Sequence, residues 1–499
     1  MTSNAIIDAL FRHGNDQPDA PALAGAYSYK ELAAAIESLW LQLRAAPTKV
    51  IALALDNSPL WAVLDLVGMH AGKPVIPLPS FFSANQIAHI ILDAGIDCLF
   101  TDQPDFYCKL LEAAGIAIES VIAHRLNGQT YSEIRLCNIL ARALPTGTIK
   151  ITYTSGTTGH PKGVCLSADA LQRVAMSLLS ATSGKPEDQH LSVLPLSALL
   201  ENLAGLYVPL LAGASCHLLP LAEVGLCGSA GLDVKKMLAA LIRHQATTTI
   251  LTPQLLHAII AAIEAGHPAP VRLRFAAVGG APVATRLLQR AEALGIPVFE
   301  GYGLSECASV VALNTEHQRR IGSVGKPLAH AKIRFAMDGE ILVAGATLLG
   351  YTKGAPEADE FWPTGDIGHL DEQGFLHLSG RKKNIFITSF GRNVSPEWVE
   401  RELTLHPAIA QAAVFGEARP WNVAVIIPRG TNDAVDQAIQ EANSVLPDYA
   451  RVRYWLHAKA PFLSQNGQLT ANGRLKHSAI WQCYQTSIEQ LYKEKSDDC

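Results

Sequence analysis

Short apolar runs alternate with amphipathic stretches through most of the 499 residues. VIALAL (50–55), PVIPLP (74–79) and DCLFTD (97–102) read as buried strands, with helices over 58–71 and 84–94 between them. Apolar strands alternating with helices predict a parallel sheet covered on both faces. The rhythm resumes after Ile149, where HLSVLP, ASCHLLP, TTTILTP, FAAVGGAP and IPVFEGYG each read as a strand running into a turn or helix. From about Ile321 it gives way to short strands with Gly-rich turns, KIRFAMDGEILVAG and GFLHLSG, which predict an antiparallel or barrel-like piece. A third segment begins near Gly380, with helices over 396–405 and 434–445 and strands at IAQAAVFG and VAVIIP. The domain boundary is expected close to Lys383. The fold class is therefore α/β: a large N-terminal domain (1–382) of two doubly wound sheet subdomains plus a small barrel-like one, then a small α+β domain (383–499).

The most apolar stretch, Leu194–Leu211, is broken by Pro195, Glu201, Asn202 and Pro209, so it reads as a buried helix rather than a membrane span. Leu199, Leu200, Leu203, Leu206, Tyr207 and Leu210 form a helical stripe there, read mainly as core packing.

Composition narrows the class. Apolar residues make up 49% and charged residues 17%, a globular balance without bulk disorder. A net charge of -5 supplies no domain-wide positive field for a nucleic-acid backbone. The nine cysteines are scattered without a CxxC pair, as expected of free thiols in a reducing cytosol. The N-terminal residues carry neither a basic segment nor a continuous apolar one, so a soluble cytoplasmic protein without a secretion signal is expected.

The chemistry concentrates after the strand TIKITY, in Tyr153-Thr-Ser-Gly-Thr-Thr-Gly-His-Pro-Lys-Gly163. Glycines let backbone N–H groups turn toward an anion, hydroxyls add donors, and Lys162 adds a mobile charge. That is the chemistry of a triphosphate cradle, although the GxxxxGK[ST] pattern is absent. His160 reads as a tolerated loop residue, and none of the seventeen histidines has metal-ligand spacing.

TSGTTGHPKG resembles the phosphate loop of the adenylate-forming (AMP-binding) enzymes: acyl-CoA synthetases, adenylation domains and firefly-type luciferases. The resemblance runs over essentially the whole chain and is nearest to acyl-CoA synthetases. It implies that Thr154, Ser155, Gly156, Thr157, Thr158, Gly159 and Lys162 hold the ATP phosphates. Val278-Gly-Gly-Ala-Pro282 and Phe299-Glu-Gly-Tyr-Gly-Leu-Ser-Glu306 resemble the segments enclosing adenine, which implies binding roles for Gly280, Ala281, Pro282, Glu300, Gly301, Tyr302, Gly303 and Ser305. Glu306 resembles the carboxylate holding Mg2+, a hard oxygen ligand for a hard cation. Asp366 of Thr364-Gly-Asp366 would accept from the ribose hydroxyls, Arg381 would sit near the ribose, and Lys383 falls at the hinge. Gly391-Arg-Asn-Val-Ser-Pro-Glu397 and Glu400 fit the loop and helix that line the family's thiol tunnel.

Two departures stand out. Where the family carries a Gly-Lys near the C-terminus, this chain reads Asn472-Gly-Arg-Leu-Lys476, so Arg474 takes the position of the lysine that serves the α-phosphate. Guanidinium and ammonium are not interchangeable. Residues two apart share a side in extended backbone, so Lys476 is a candidate beside Arg474, and is preferred. In Leu194-Pro-Leu-Ser-Ala-Leu-Leu-Glu201, Ala198 replaces the family's usual histidine or aromatic gate, which implies an open acyl pocket. No aspartate occurs between Leu191 and Glu201 to pair with an α-amino group, so a fatty or aromatic acid is favoured.

These readings predict an acid–thiol ligase: ATP and Mg2+ activate a carboxylic acid as its acyl-adenylate, pyrophosphate leaves, and the acyl group passes to CoA. The alternatives are transfer to a phosphopantetheine carrier protein or an amine, and a nucleotide-binding protein without catalysis. A luciferase-type oxidation finds no support in these residues.

Overall fold

The computed structural model describes residues 4–140, 142–154, 161–227, 231–354, 360–470 and 473–495. Local sequence sets the helix starts. Ser58 accepts from the backbone N–H of Trp61 with Pro59 at the first helical position, so the helix Pro59–His70 begins where its cap lies. Capping boxes at Ser28/Glu31 and Ser83/Gln86 do the same for Tyr29–Ala45 and Ala84–Ala94.

Two large sheets build the N-terminal part. The first runs Gly350–Tyr351, Lys162–Ser167, Thr148–Thr154, Val75–Pro77, Ile51–Ala54, Cys98–Thr101, Gln129–Leu136 and Ile118–Leu126. Its centre is parallel, in register at Ile51↔Val75 and Ile51↔Cys98. The outer antiparallel hairpin Ile118–Leu126/Gln129–Leu136 was not foreseen, because the first of these strands is largely exposed and carries polar residues within its apolar pattern.

The second sheet has nine strands, with Gln189–Leu191, Thr248–Leu251, Phe275–Val278 and Val298–Leu304 parallel at its heart. Over it lies the stretch read as one helix, which starts after Pro195 and forms a π-helix, Glu201–Tyr207, followed by an α-helix, Val208–Ala212. The leucine stripe is core as expected: Leu203, Leu206, Tyr207 and Leu210 are fully buried in the main N-terminal core.

A separate four-stranded antiparallel sheet, Ala331–Phe335, Glu340–Gly345, Trp362–Leu370 and Leu376–Arg381, is the piece expected after Ile321. Beyond it a three-stranded sheet, Ile409–Phe415, Asn422–Pro428 and Val452–His457, is buried on both faces. Alternate residues separate its two cores: Ala412, Val414, Ala424 and Ile426 face one, Ala413, Phe415, Val423 and Val425 the other. No helix among the described residues is long and apolar enough to cross a membrane, and Cys98, Cys108, Cys137, Cys165, Cys216, Cys307 and Cys483 are unpaired.

Candidate active site

A cleft of about 3500 Å3 opens at the C-terminal ends of the parallel strands, between the two large sheets and the C-terminal domain. Ordinary ligand pockets hold roughly 300–1,000 Å3, so this one has room for a nucleotide, an acid and a thiol arm together.

Thr154 and Lys162 end paired antiparallel strands, face each other in register and both line the cleft. Ser155, Gly156, Thr157, Thr158 and Gly159 lie outside the described residues. The Lys162 ammonium sits 5.8 Å over the Tyr351 ring. The Tyr351 hydroxyl donates to Glu306 at 3.4 Å, which brings one cation and one carboxylate to the same ring. Tyr351 was missed in the sequence because no motif surrounds it. Among the described residues Glu306 makes no other side-chain hydrogen bond or ion pair, so its oxygens suit a hard cation such as Mg2+.

Gly280, Ala281 and Pro282 follow the strand Phe275–Val278, with Gly280 at φ 83°. The adjacent strand Val298–Leu304 carries Glu300, Gly301, Tyr302 and Gly303, and Ser305 and Glu306 open the 3-10 turn after it. Gly303 is obligatory: a Cβ there would lie 1.6 Å from the Ser309 carbonyl oxygen, where the pairing with Ser309–Leu313 shifts register. Among the described residues Ser305 makes no side-chain hydrogen bond. Glu300 is buried, accepts from the Val283 N–H at 3.3 Å, and is pushed up to about 7 by burial despite the opposing charge of Arg401.

Asp366 and Arg381 are cross-strand partners in the small sheet. The Arg381 Nε lies 2.9 Å from Asp366 Oδ1, and Arg381 Nη1 donates to the Thr364 carbonyl at 3.0 Å. The Tyr302 hydroxyl donates to Asp366 Oδ2 at 2.7 Å, so this carboxylate is oriented from two sides at the cleft wall. Gly365, at φ 72°, sits within the strand Trp362–Leu370 where its pairing with Glu340–Gly345 shifts register, directly before Asp366. Burial raises the Asp366 carboxyl above its ordinary value, and Arg381 opposes that rise.

The C-terminal domain reaches the same place. Arg474 donates to the Gly280 carbonyl and lies within electrostatic reach of Asp366, Arg381, Glu397 and Tyr302. It keeps accessible surface because the cleft is open around it. Lys383 is in the same group, its ammonium disfavoured first by burial and then by Arg381. Arg381, Lys383 and Arg474 thus converge around two carboxylates, an arrangement that can neutralise phosphates.

Lys476, preferred from the sequence, also lines the cleft, and among the described residues its side chain makes no hydrogen bond or ion pair. Its N–H donates to the Gln468 carbonyl while its own carbonyl accepts from Ala479 and Ile480, so it stands where the extended segment carrying Arg474 meets the helix His477–Glu494. His477 Nε2 meets Glu400 Oε1 at 2.6 Å, which ties the Arg474 turn to the helix Pro396–Thr404. Glu397 on that helix is held by Asn384 and by the Ser395 hydroxyl at 3.0 Å, next to Lys383.

The sequence profile described as AMP-binding enzyme matches residues 10–351, and the one described as AMP-binding enzyme C-terminal domain matches residues 383–496. The long-chain-fatty-acid–CoA ligase of Mycobacterium bovis is 26% identical, over 97% of this chain and 96% of that protein. The anthranilate CoA ligase AuaEII, solved with anthranoyl-AMP, superposes with TM-score 0.78 at 18% identity, covering 96% of this chain and 97% of that one. The o-succinylbenzoate CoA synthetase of Bacillus subtilis, solved with ATP and a magnesium ion, has TM-score 0.73 at 22% identity, covering 94% and 98%.

Proposed function

The chain belongs to the AMP-binding enzyme family, and from that premise we propose that it activates a carboxylic acid with ATP as the acyl-adenylate and passes the acyl group to the thiol of CoA. The observation that carries this reading is the meeting of Arg474, from the C-terminal domain, with Gly280, Asp366 and Arg381 of the N-terminal one. Such a cluster suits the first step: the substrate carboxylate attacks the α-phosphorus, and the cations offset charge as pyrophosphate leaves.

In this reading Lys162 and the Gly-rich loop hold the phosphates, and Asp366, fixed by Tyr302 and Arg381, accepts from the ribose hydroxyls. The backbone of Gly280 and the strand carrying Tyr302 enclose adenine. Glu306 is the residue that would hold Mg2+, which neutralises phosphate charge when bound. Arg474 stabilises the charge that develops on the α-phosphate, in place of the lysine usual in the family. Lys383 is the hinge about which domain 383–499 rotates on domain 1–382, exchanging Arg474 for the face that admits the thiol. A fatty or aromatic acid remains the favoured substrate, since Leu199, Ala204, Phe275 and Ala277 line the cleft beyond Ala198.

Pyrophosphate release from MgATP, measured over a panel of carboxylic acids with and without CoA, tests this. Acid-dependent release, with thioester appearing only when CoA is present, is expected. Tight ATP binding without release for any acid would overturn it in favour of a nucleotide-binding protein that has lost catalysis.

A further inference from the structure

Deeper in the cleft the lining changes character. Below the rim it runs between the nine-stranded sheet and the segment Glu201–Ala212, first past the apolar Leu199, Ala204 and Ala277 and then past His190 and Thr248. Register gives the depth. Leu251 pairs with Val278, directly before the Gly279–Gly280 rim, and Thr248 pairs with His190, three residues down the strand. At about 3.3 Å per residue, the polar layer lies roughly 10 Å below the rim.

That layer is a connected group. His190 Nδ1 is 2.9 Å from the Thr248 hydroxyl, and His190 Nε2 is 3.0 Å from Glu201 Oε1. His190 is 2% exposed and Glu201 0%, and Glu201 Oε2 finds no hydrogen-bond partner among the described residues. The backbone is shaped around the pair. A Cβ on Gly205 would meet Glu201 Oε1 at 2.2 Å and His190 Nε2 at 2.7 Å. Glu201 opens a π-helix, a form that recurs at functional sites. A plain hydrocarbon tail laid here would leave the Thr248 hydroxyl, which has hydrogen-bonding capacity beyond its contact with His190, facing only carbon.

We infer that the acid activated by this enzyme carries a hydroxyl group at its far end, roughly 10 Å from the carboxylate, and that the Thr248 hydroxyl hydrogen-bonds it. His190 and Glu201 are positioning residues: Glu201 fixes the ring of His190, and His190 in turn orients the Thr248 hydroxyl. The inference rests on the adenylating reading above and narrows its substrate from fatty or aromatic acids in general to those with a polar tail. It separates this site from a buried network that merely fastens the π-helix to the sheet, since a fastening would affect all acids alike.

The test compares matched acids in the pyrophosphate assay with the full-length enzyme: 4-hydroxycinnamate against cinnamate, and 8-hydroxyoctanoate against octanoate. In the wild type, kcat/KM should favour the hydroxylated member of at least one pair by about tenfold or more, because a site built to hydrogen-bond a hydroxyl rejects the analogue lacking it. The ratio should fall toward one in Thr248→Val and in His190→Phe, persist in Thr248→Ser, and shrink in Glu201→Gln. Equal use of both members by the wild type, preference for the plain acids, or a ratio that survives Thr248→Val would each overturn the inference and leave adenylation standing. Absence of pyrophosphate release with every acid would overturn both.

Discussion

Replacing Arg474 by alanine should remove most of the first half-reaction while leaving ATP binding nearly intact. Its guanidinium crosses from the C-terminal domain to the Gly280 carbonyl and faces Asp366 and Arg381. Negative charge grows on the α-phosphate oxygens as the carboxylate attacks, and a prepositioned donor there is worth about 2.7–4 kcal/mol, or 10²–10³ in kcat. Arg474→Ala should therefore lower kcat for acid-dependent pyrophosphate release by that factor. The KM for ATP should change by less than about fivefold, because a contact made mainly in the transition state appears in kcat. Arg474→Lys should recover part of the rate, to about tenfold below wild type, since an ammonium replaces the charge without the planar fork. Thioester formation from preformed acyl-adenylate and CoA should be nearly unchanged in Arg474→Ala, because the α-phosphorus is attacked only in the first step. Lys476→Ala, which removes a side chain with no polar contact among the described residues, should stay within about threefold of wild type. If Lys476→Ala abolished release while Arg474→Ala retained it, the reasoning would be refuted.

Further outcomes follow from the surrounding geometry. Asp366→Asn keeps the shape but loses the charge that Arg381 and Tyr302 orient, so the KM for ATP should rise about tenfold or more, read by ATP titration or calorimetry. His477, held charged by Glu400 against the opposing effect of burial, is raised from 6.5 to about 9, with Glu397 adding to the rise. A cation whose folded value is raised contributes stability fully below pH 6.5 and loses it as pH rises through 9. The midpoint of thermal unfolding of the C-terminal domain should accordingly fall across that window in the wild type, and fall less in His477→Gln; equal slopes would count against the pair.

How far the sequence went can be judged residue by residue. Asp366 and Arg381 were legible only through the likeness of Thr364-Gly-Asp366 and Gly380-Arg-Lys-Lys383 to family motifs, since their pairing across two strands leaves no local mark. In the segments likened to the adenine site, glycine marks close backbone approach, as at Gly303. Arg474 and Lys476 were harder to separate. Parity along extended chain puts them on one side, and the ladder through Leu475 keeps them so; what separates them is the contact that Arg474 makes with Gly280. Nothing local announces Tyr351, which reaches Glu306 from a two-residue strand paired with Lys162–Ser167. The His190–Thr248–Glu201 group was hidden for a similar reason. Its members come from two strands and a π-helix, and the helical period used to read Leu194–Leu211 does not describe a π-turn.

The central claim is that the acid's own carboxylate attacks the α-phosphorus, and oxygen labelling tests it most directly. With an acid enriched in 18O at both carboxylate oxygens, MgATP and CoA, the account predicts AMP carrying one 18O atom and unlabelled pyrophosphate, read by mass spectrometry. Label in inorganic phosphate, or unlabelled AMP accompanying thioester formation, would contradict it.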